Sequence, residues 1–395
     1  MYRTNVGTVC VDRMSHKSQC EARVGFMGNP SDGFNGKTLS FLIGNFQAVV
    51  QVNTENQGGF LFQGASDSGD KGRSFLSFES LEEFRAKVAE SKWYLSIEDG
   101  GITLCMATFS MLLRCLDGMK ITDTVLRDKN WFSVSYETSI PRCVGLSGSS
   151  AIITACWRSL MSFYGLELSD IGITKEYLPS LILEVEKREL DIAAGLQDRV
   201  IQTYGGLVHM DFSATSHEVG GVTTEEHVNP LVQTLTSPGR YTSLSPSMLP
   251  PLYLIYNTHA GGDSGGVHST VRERWKNRDP DLIAAMQNLG GLADEAVEAL
   301  KSGDFKRLAV VMDTNFATRR AIYGDEVVGT LNVEVAEKAK SLGLSVKFSG
   351  SGGAFIGMRT SGDGFFDSEE EQRVREAMKG LGFAMTRVRE QTAGA

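Results

Sequence analysis

The stretch VGLSGSSAIITACW, residues 144–157, places glycine and serine directly before an apolar run. Apolar residues recur through 151–163, a spacing that predicts a helix buried over a wide face. Small residues let a backbone approach a ligand closely, and a helix N-terminus presents unpaired N–H groups and a partial positive charge. The stretch therefore predicts an anion-binding loop, most often for phosphate, with a simple serine N-cap as the alternative.

The composition is that of a globular chain long enough for two domains, with 395 residues of which 41% are hydrophobic. A net charge of −9 disfavours nucleic acid or an anionic membrane as a partner. Six cysteines without a C-x-x-C pair indicate reduced thiols rather than a zinc site. Because we find neither a secretory signal nor about 18 consecutive apolar residues, we expect a cytoplasmic protein.

The predicted helices and strands alternate unevenly, which favours an α+β fold over a regular parallel sheet. Residues 1–20 are expected to form a leader without strong periodicity, and residues 213–250 to connect two domains. The main predicted strands are 41–52, 131–141, 251–258 and 383–389. The main predicted helices are 79–90, 101–116, 151–163, 176–190, 264–276, 279–302, 304–321, 328–341 and 369–382.

Two further segments carry candidate chemistry. GLQDR, residues 195–199, places Asp198 after a glycine turn, where a carboxylate can accept a hydroxyl proton or orient the hydroxyl for attack. EVEKRE, residues 184–189, places three glutamates on the preceding helix. One of them can complete a Mg²⁺ site, since this ion takes one or two carboxylates together with phosphates. The alternatives are a helix-capping aspartate and a solvated helix face.

Three motifs resemble those of the galactokinase, homoserine kinase, mevalonate kinase and phosphomevalonate kinase (GHMP) superfamily. They are RVGFMGNPSD at 23–32, PRCVGLSGSSA at 141–151 and FSGSGGA at 348–354. The middle motif is the specific one. Within the superfamily, AGLQDRV at 194–200 and VHSTVRERW at 267–275 resemble the glucuronokinases.

This resemblance implies two α+β domains, residues 1–245 and 246–395, with the active site in the cleft between them. It implies transfer of the γ-phosphoryl group of ATP, with Mg²⁺, to the anomeric hydroxyl of D-glucuronate. The alternative acceptor is another sugar or sugar acid: galacturonate, arabinose, galactose or a heptose. The oligomeric state is not predicted.

The resemblance also assigns roles to residues. Asp198 is the base or orienting group, and Arg23 lies near the transferred phosphate. The implied ATP-binding residues are Gly145, Leu146, Ser147, Gly148, Ser149, Ser150 and Ala151. The implied sugar-binding residues are Asn29, Asp32, Arg199, Gly352 and Gly353. The implied metal ligands are Ser150 and Glu186, with Ser149 and Glu189 as alternatives. Candidate partners for a substrate carboxylate are Arg199, Lys37 and Arg272.

Asn29 bears on the choice of sugar, because galactokinases carry Glu-His where this chain has Asn29-Pro30. A glutamate there would repel a C6 carboxylate, so Asn29 is compatible with a uronic acid. Two other functions stay open: a decarboxylase or non-catalytic member of the fold, and a glycine-rich binding module unrelated to nucleotides. The presence of Asp198 and Ser150 argues against an inactive enzyme.

Overall fold

The structure is a computed structural model that describes residues 15–55, 58–64, 74–127, 131–213, 228–257 and 269–390. Its strands are β1 (Ser15–Met27), β2 (Lys37–Thr54), β3 (Phe60–Gln63), β4 (Phe75–Phe78), β5 (Phe132–Thr138), β6 (Leu207–Asp211), β7 (Arg240–Leu244), β8 (Tyr253–Asn257), β9 (Leu344–Phe348), β10 (Ala354–Arg359) and β11 (Phe383–Arg387). Its helices are α1 (Leu81–Ala89), α2 (Gly100–Gly118), α3 (Thr122–Leu126), α4 (Gly148–Tyr164), α5 (Leu178–Glu189), α6 (Gln197–Tyr204), α7 (Ser269–Lys276), α8 (Pro280–Ser302), α9 (Phe305–Val328), α10 (Thr330–Ser341) and α11 (Ser368–Gly380).

The strands form two sheets. Strands β1 to β7 make a seven-stranded sheet with the order β4-β3-β5-β2-β6-β7, and β1 pairs with β2. Strands β8 to β11 make a four-stranded sheet with the order β11-β8-β10-β9. The pairing is antiparallel except between β3 and β5. The α+β prediction is confirmed; the predicted domain boundary at 245/246 falls between the two sheets and remains a prediction.

The long β1–β2 hairpin is the centre of the first sheet. Its inward residues, such as Ala22, Val24 and Phe26, are fully buried, because α4 and α6 cover this part of the sheet. The expectation of a leader is wrong for residues 15–20, which pair with residues 48–53 of β2. The polar sequence SHKSQC does not show the apolar pattern of a strand, because most residues at the start of β1 remain partly or fully exposed.

Three other predicted segments differ from the structure in their bounds or in the elements that they contain. The turn-rich residues 53–74 predict a hairpin or a surface loop, and they contain β3, which pairs antiparallel with β4 and parallel with β5. The helix predicted to end at 321 continues through a break at Gly324, whose φ of 75° is outside the helical range. The predicted connection at 213–250 contains β7. Its residues 214–227, and residues 264–268 of a predicted helix, lie outside the described residues.

Helix α2 has the length and apolar composition of a membrane-spanning helix. By length and composition it alone, within the described residues, is apolar enough to cross a membrane, although 83% of this stretch is buried inside the protein. The neighbours of α2 account for its apolar sequence. Helices α4 and α5 pack against it, and its own Phe109 lies in an aromatic cluster with Phe60 and Phe84. These contacts are those of a core helix.

Candidate active site

The loop before α4 leaves backbone amides available. Ser147 precedes the helix with a left-handed φ of 64°, and its hydroxyl makes no capping hydrogen bond. The first amide bonded into the helix is that of Ala151, which donates to the Ser147 carbonyl at 3.1 Å. The N–H groups of residues 148–150 therefore precede the helical hydrogen bonds, as an anion-binding terminus requires. The serine N-cap alternative is not what the structure has.

Gly148 lies where a ligand can approach this terminus. A Cβ added at Gly148 would meet only Ile140, at an ordinary contact distance of 3.5 Å. Ser149 is exposed, whereas Ser150 is buried and its hydroxyl donates to the Ser147 carbonyl at 3.2 Å. Ser149 is thus the more accessible of the two hydroxyls proposed for the metal.

The loop before α4 packs directly on a second glycine loop, residues 348–354. Gly145 has a positive φ of 73°, and a Cβ on it would lie 2.9 Å from the Ser351 amide nitrogen. A Cβ on Gly350 would collide with the Gly145 carbonyl, and one on Gly353 would lie 3.2 Å from the Cα of Val144. Backbone therefore meets backbone, which only glycine permits. The predicted residues Gly352 and Gly353 are brought beside the phosphate loop.

Arg23 connects three parts of the site. Its Nε donates to Asp198 Oδ1 at 2.6 Å. Its Nη1 donates to the carbonyl of Gly145 at 2.7 Å and to that of Ser349 at 2.9 Å. The planar guanidinium, 7% exposed, thereby holds the predicted base, the phosphate loop and the second glycine loop in fixed relative positions.

Helix α6 supplies the predicted base and also supports the phosphate loop. Asp198 lies in its first turn, where the helix N-terminus favours a negative charge, and its side chain keeps 20% exposure. One turn later, buried Gln202 donates to the Ser147 carbonyl at 3.2 Å. Sequence analysis missed Gln202, whose spacing of four residues from Asp198 places both on one helix face.

Arg199 is buried next to the predicted base, with its Nη1 3.6 Å from Oδ2 of Asp198. It is 3% exposed, forms an ion pair with Glu186 and donates to the Gly195 carbonyl at 3.0 Å. Burial lowers the pKa of Arg199 to about 9. Its predicted contact with the sugar remains a prediction. Of the other candidates for a substrate carboxylate, Lys37 pairs with Asp294 at 2.7 Å, and Arg272 is exposed on α7.

Both predicted carboxylate ligands of Mg²⁺ are engaged by cations. Glu186 pairs with Arg199, while Glu189 accepts hydrogen bonds from Ser110 at 2.8 Å and Arg114 at 2.6 Å. Among the described residues, no group of three or more His, Cys, Asp or Glu side chains forms a metal cluster. Mg²⁺ in a kinase uses few protein ligands and completes its shell with phosphates and water, so the exposed hydroxyl of Ser149 is a donor that fits the ion.

Asp32 and Asn29 follow β1 and lie at the same end of it as Arg23. Asp32 approaches Gly195, since a Cβ there would be 2.9 Å from Asp32 Oδ2. Burial raises the pKa of Asp32 to about 6; the nearby Asp198 carboxylate adds to this effect, and Arg23 opposes it. Asn29 is 4% exposed, and its Oδ1 accepts a hydrogen bond from Lys347 at 2.8 Å. The structure thus brings both predicted sugar-binding residues near Asp198.

Sequence analysis missed two buried cations beneath the second glycine loop. Lys347 donates to the Phe348 carbonyl and, at 2.7 Å, to that of Gly25. Arg319 donates to the Gly350 carbonyl at 2.6 Å and the Ser351 carbonyl at 2.9 Å. The sequence signal for Lys347 was a lysine in an otherwise buried strand before a glycine loop; Arg319, inside α9, gave no signal.

Comparisons with known proteins identify the family. The family model of the GHMP kinases N terminal domain matches residues 108–206. Glucuronokinase 1 of Arabidopsis thaliana is 40% identical over 335 residues, which cover 85% of this chain and 82% of that protein. Probable glucuronokinase 2 of the same plant is 41% identical over 336 residues, with the same coverage.

Among solved structures, the mevalonate kinase of Methanococcus jannaschii matches with a TM-score of 0.65. Its 14% identity shows the fold alone, over 97% of this chain and 100% of that one. The fold is therefore that of the GHMP kinases, as the sequence motifs predicted. The chain belongs to the glucuronokinase family within them. It is a phosphotransferase that uses an alcohol group as acceptor.

Substituting Gly148 tests the phosphate loop. Gly148→Ala should fold with unchanged or slightly higher stability, because the added methyl meets only Ile140 and helical alanine is favourable. It should raise the KM for ATP about tenfold or more, corresponding to ~1.4 kcal/mol, because the methyl lies where phosphate meets backbone. Steady-state kinetics and thermal unfolding measure both effects.

The control is Gly291→Ala on α8, where an added Cβ has no neighbour within 4 Å. This variant should leave the KM for ATP unchanged. An unchanged KM in Gly148→Ala would mean that the loop is only a helix start.

The raised pKa of Asp32 predicts a pH-dependent stability. The native state holds the Asp32 proton up to about pH 6, whereas the unfolded chain releases it near pH 3.8. Stability from this group is therefore present below pH 3.8 and lost as pH rises through 6. Asp32→Asn resembles the protonated form, so its free energy of unfolding should exceed that of wild type. The difference should grow between pH 4.5 and 7.5, to at most about 3 kcal/mol.

Urea unfolding of both proteins at the two pH values measures this difference. In wild type, kcat/KM should also rise through an apparent pKa near 6, since ionised Asp32 is an acceptor for sugar hydroxyls. A constant stability difference across this range would contradict the assignment.

Proposed function

We propose that this protein transfers the γ-phosphoryl group of ATP to the anomeric hydroxyl of D-glucuronate, giving glucuronate 1-phosphate. Kinship with the two plant glucuronokinases over 85% of the chain supports the substrate. The observation that carries the chemistry is the Arg23–Asp198 pair, at 2.6 Å, joined through one guanidinium to the phosphate loop at Gly145.

The reaction follows from this geometry. The open amides at the start of α4 bind phosphate oxygens of ATP, and their fixed positions stabilise charge on the transferring group. The Asp198 carboxylate, whose side chain is 20% exposed, accepts the proton of the anomeric hydroxyl or orients that hydroxyl for attack. Since phosphoryl transfer depends mainly on positioning and charge stabilisation, the rigid attachment of Asp198 to the loop by Arg23 contributes directly to the rate.

Mg²⁺ would neutralise charge on the phosphates when bound. Ser150 and Glu186 remain the proposed protein ligands, with Ser149 as the more accessible hydroxyl. Glu186 would have to leave its ion pair with Arg199 in order to bind. Cytoplasmic location and the absence of nucleic-acid or membrane partners also remain predictions.

A side-by-side substrate panel tests the function. ADP release should be measured with glucuronate, galacturonate, galactose, arabinose and glucose at equal concentrations. Glucuronate should exceed glucose by more than about 100-fold in kcat/KM, because the two differ only at C6 and a site built for a carboxylate loses that partner with glucose. Higher activity on a neutral sugar would retain the kinase and refute the uronate assignment.

The same assay includes Asp198→Asn. This variant should keep its fold and lose about 10²- to 10⁴-fold in kcat, the usual cost of losing a positioned base. The matched control is Asp191→Asn, which makes the same change at an exposed loop position seven residues earlier. Wild-type turnover in Asp198→Asn would remove this residue from the mechanism.

A further inference from the structure

Two buried side-chain amides, those of Asn29 and Gln197, lie together against Gly25. A Cβ on Gly25 would collide with Nε2 of Gln197 and would lie 3.3 Å from Cγ of Asn29. Asn29 is 4% exposed and Gln197 is 3% exposed. Gly25 itself is fixed at this point, since its N–H donates to the Ser349 carbonyl at 2.7 Å.

Lys347 determines which way the Asn29 amide points. An ammonium group can only donate, so its neighbour at 2.8 Å must be Oδ1, and Nδ2 must point elsewhere. Lys347 faces three oxygens, of Gly25, Asn29 and Phe348, which together use all three N–H hydrogens of a protonated lysine. Asn29 therefore presents only hydrogen-bond donors away from Lys347.

These donors have no protein partner. In the part of the chain that the structure describes, no hydrogen bond is found for Nδ2 of Asn29 or for the side-chain amide of Gln197. Neither group is among the fully enclosed unpaired atoms, so both amides keep some contact with solvent although their residues are largely buried. Buried polar groups are normally hydrogen-bonded, and unpaired ones mark a place where a ligand belongs. Both amides lie beside the residue that meets the acceptor hydroxyl, so the missing partner is the acceptor molecule.

The surrounding charge favours an anionic partner. Lys347 and Arg319 are buried and make no ion pair among the described residues, since their hydrogen bonds end on carbonyl and amide oxygens. Two carboxylates also lie here: Asp198, which pairs with Arg23, and Asp32, whose charge Arg23 also favours. Burial lowers the pKa of Lys347 well below its usual value, and Arg319 and Arg23 add to this effect. An approaching anion stabilises the charged form of this lysine, so protonated Lys347 and a bound carboxylate favour each other.

We propose that Asn29 and Gln197, with Lys347 fixing the Asn29 amide, form the subsite that binds the carboxylate of the sugar acid. This inference rests on the proposed function, because it assigns a site to the group that distinguishes a uronic acid from a hexose. The Asn29 amide, which Lys347 leaves with only its donors free, suits a carboxylate, which only accepts hydrogen bonds, better than a hydroxyl, which also donates.

Asn29→Asp tests the subsite with little change in shape. The new carboxylate keeps the contact with Lys347, so the variant should fold, but it replaces the free donor by an acceptor and adds like charge. The KM for glucuronate should rise on the order of 100-fold, with a much smaller change in kcat. The KM for glucuronamide, the neutral amide of the same sugar, should change less than tenfold.

Gln197→Glu is the second variant. It should also raise the KM for glucuronate more than the KM for glucuronamide. The charge control is Asn288→Asp, an identical substitution at an exposed position of α8, which should leave both KM values unchanged. Thermal unfolding with and without ATP verifies that each variant is folded.

Three outcomes would overturn the inference. Equal increases in KM for glucuronate and glucuronamide would assign Asn29 to a sugar hydroxyl. Unchanged KM values in both folded variants would place the carboxylate elsewhere while leaving the glucuronate assignment intact. Failure of the wild-type enzyme to phosphorylate glucuronate would refute the proposed function, and the subsite with it.

Discussion

The site depends on the hydrogen bonds of one buried guanidinium. Arg23 holds Asp198, the Gly145 carbonyl and the Ser349 carbonyl within 2.6–2.9 Å. These three groups come from helix α6, the phosphate loop and the second glycine loop, so one side chain fixes parts of the chain that are up to 326 residues apart. No other protein side chain offers five N–H donors on one planar cation, which makes arginine difficult to replace here.

The glycines of the two loops follow from this constraint. Arg23 can reach both loop carbonyls only if the loops touch, and they touch backbone to backbone at Gly145 and Gly350. Lys347 and Arg319 then bind the remaining carbonyls of the second loop. Three buried basic side chains therefore lie around the two loops, in a chain whose net charge is −9. Their local positive charge favours the binding of two anionic substrates.

Local sequence patterns predicted the parts of the site that are contiguous in the chain. The phosphate loop, Asp198 and the second glycine loop each have a short motif, and all three lie together. Contacts between distant elements left no such pattern: the pairing of Glu186 with Arg199 joins α5 to α6, and Gln202 reaches the phosphate loop across the core. The polar start of β1 also looked unlike a strand, because its partner in β2 supplies the pairing and α4 covers only part of it.

The most direct test of this account is the kcat of Arg23→Lys on glucuronate and ATP. Lysine keeps the charge but, as a single donor centre on a flexible stem, cannot bind Asp198 and both loop carbonyls in the same geometry. We expect a folded protein whose kcat falls about 100-fold or more, because the base and the phosphate loop lose their fixed relation. A folded Arg23→Lys variant with kcat within about threefold of wild type would show that charge alone suffices, and would contradict the central role of the guanidinium geometry.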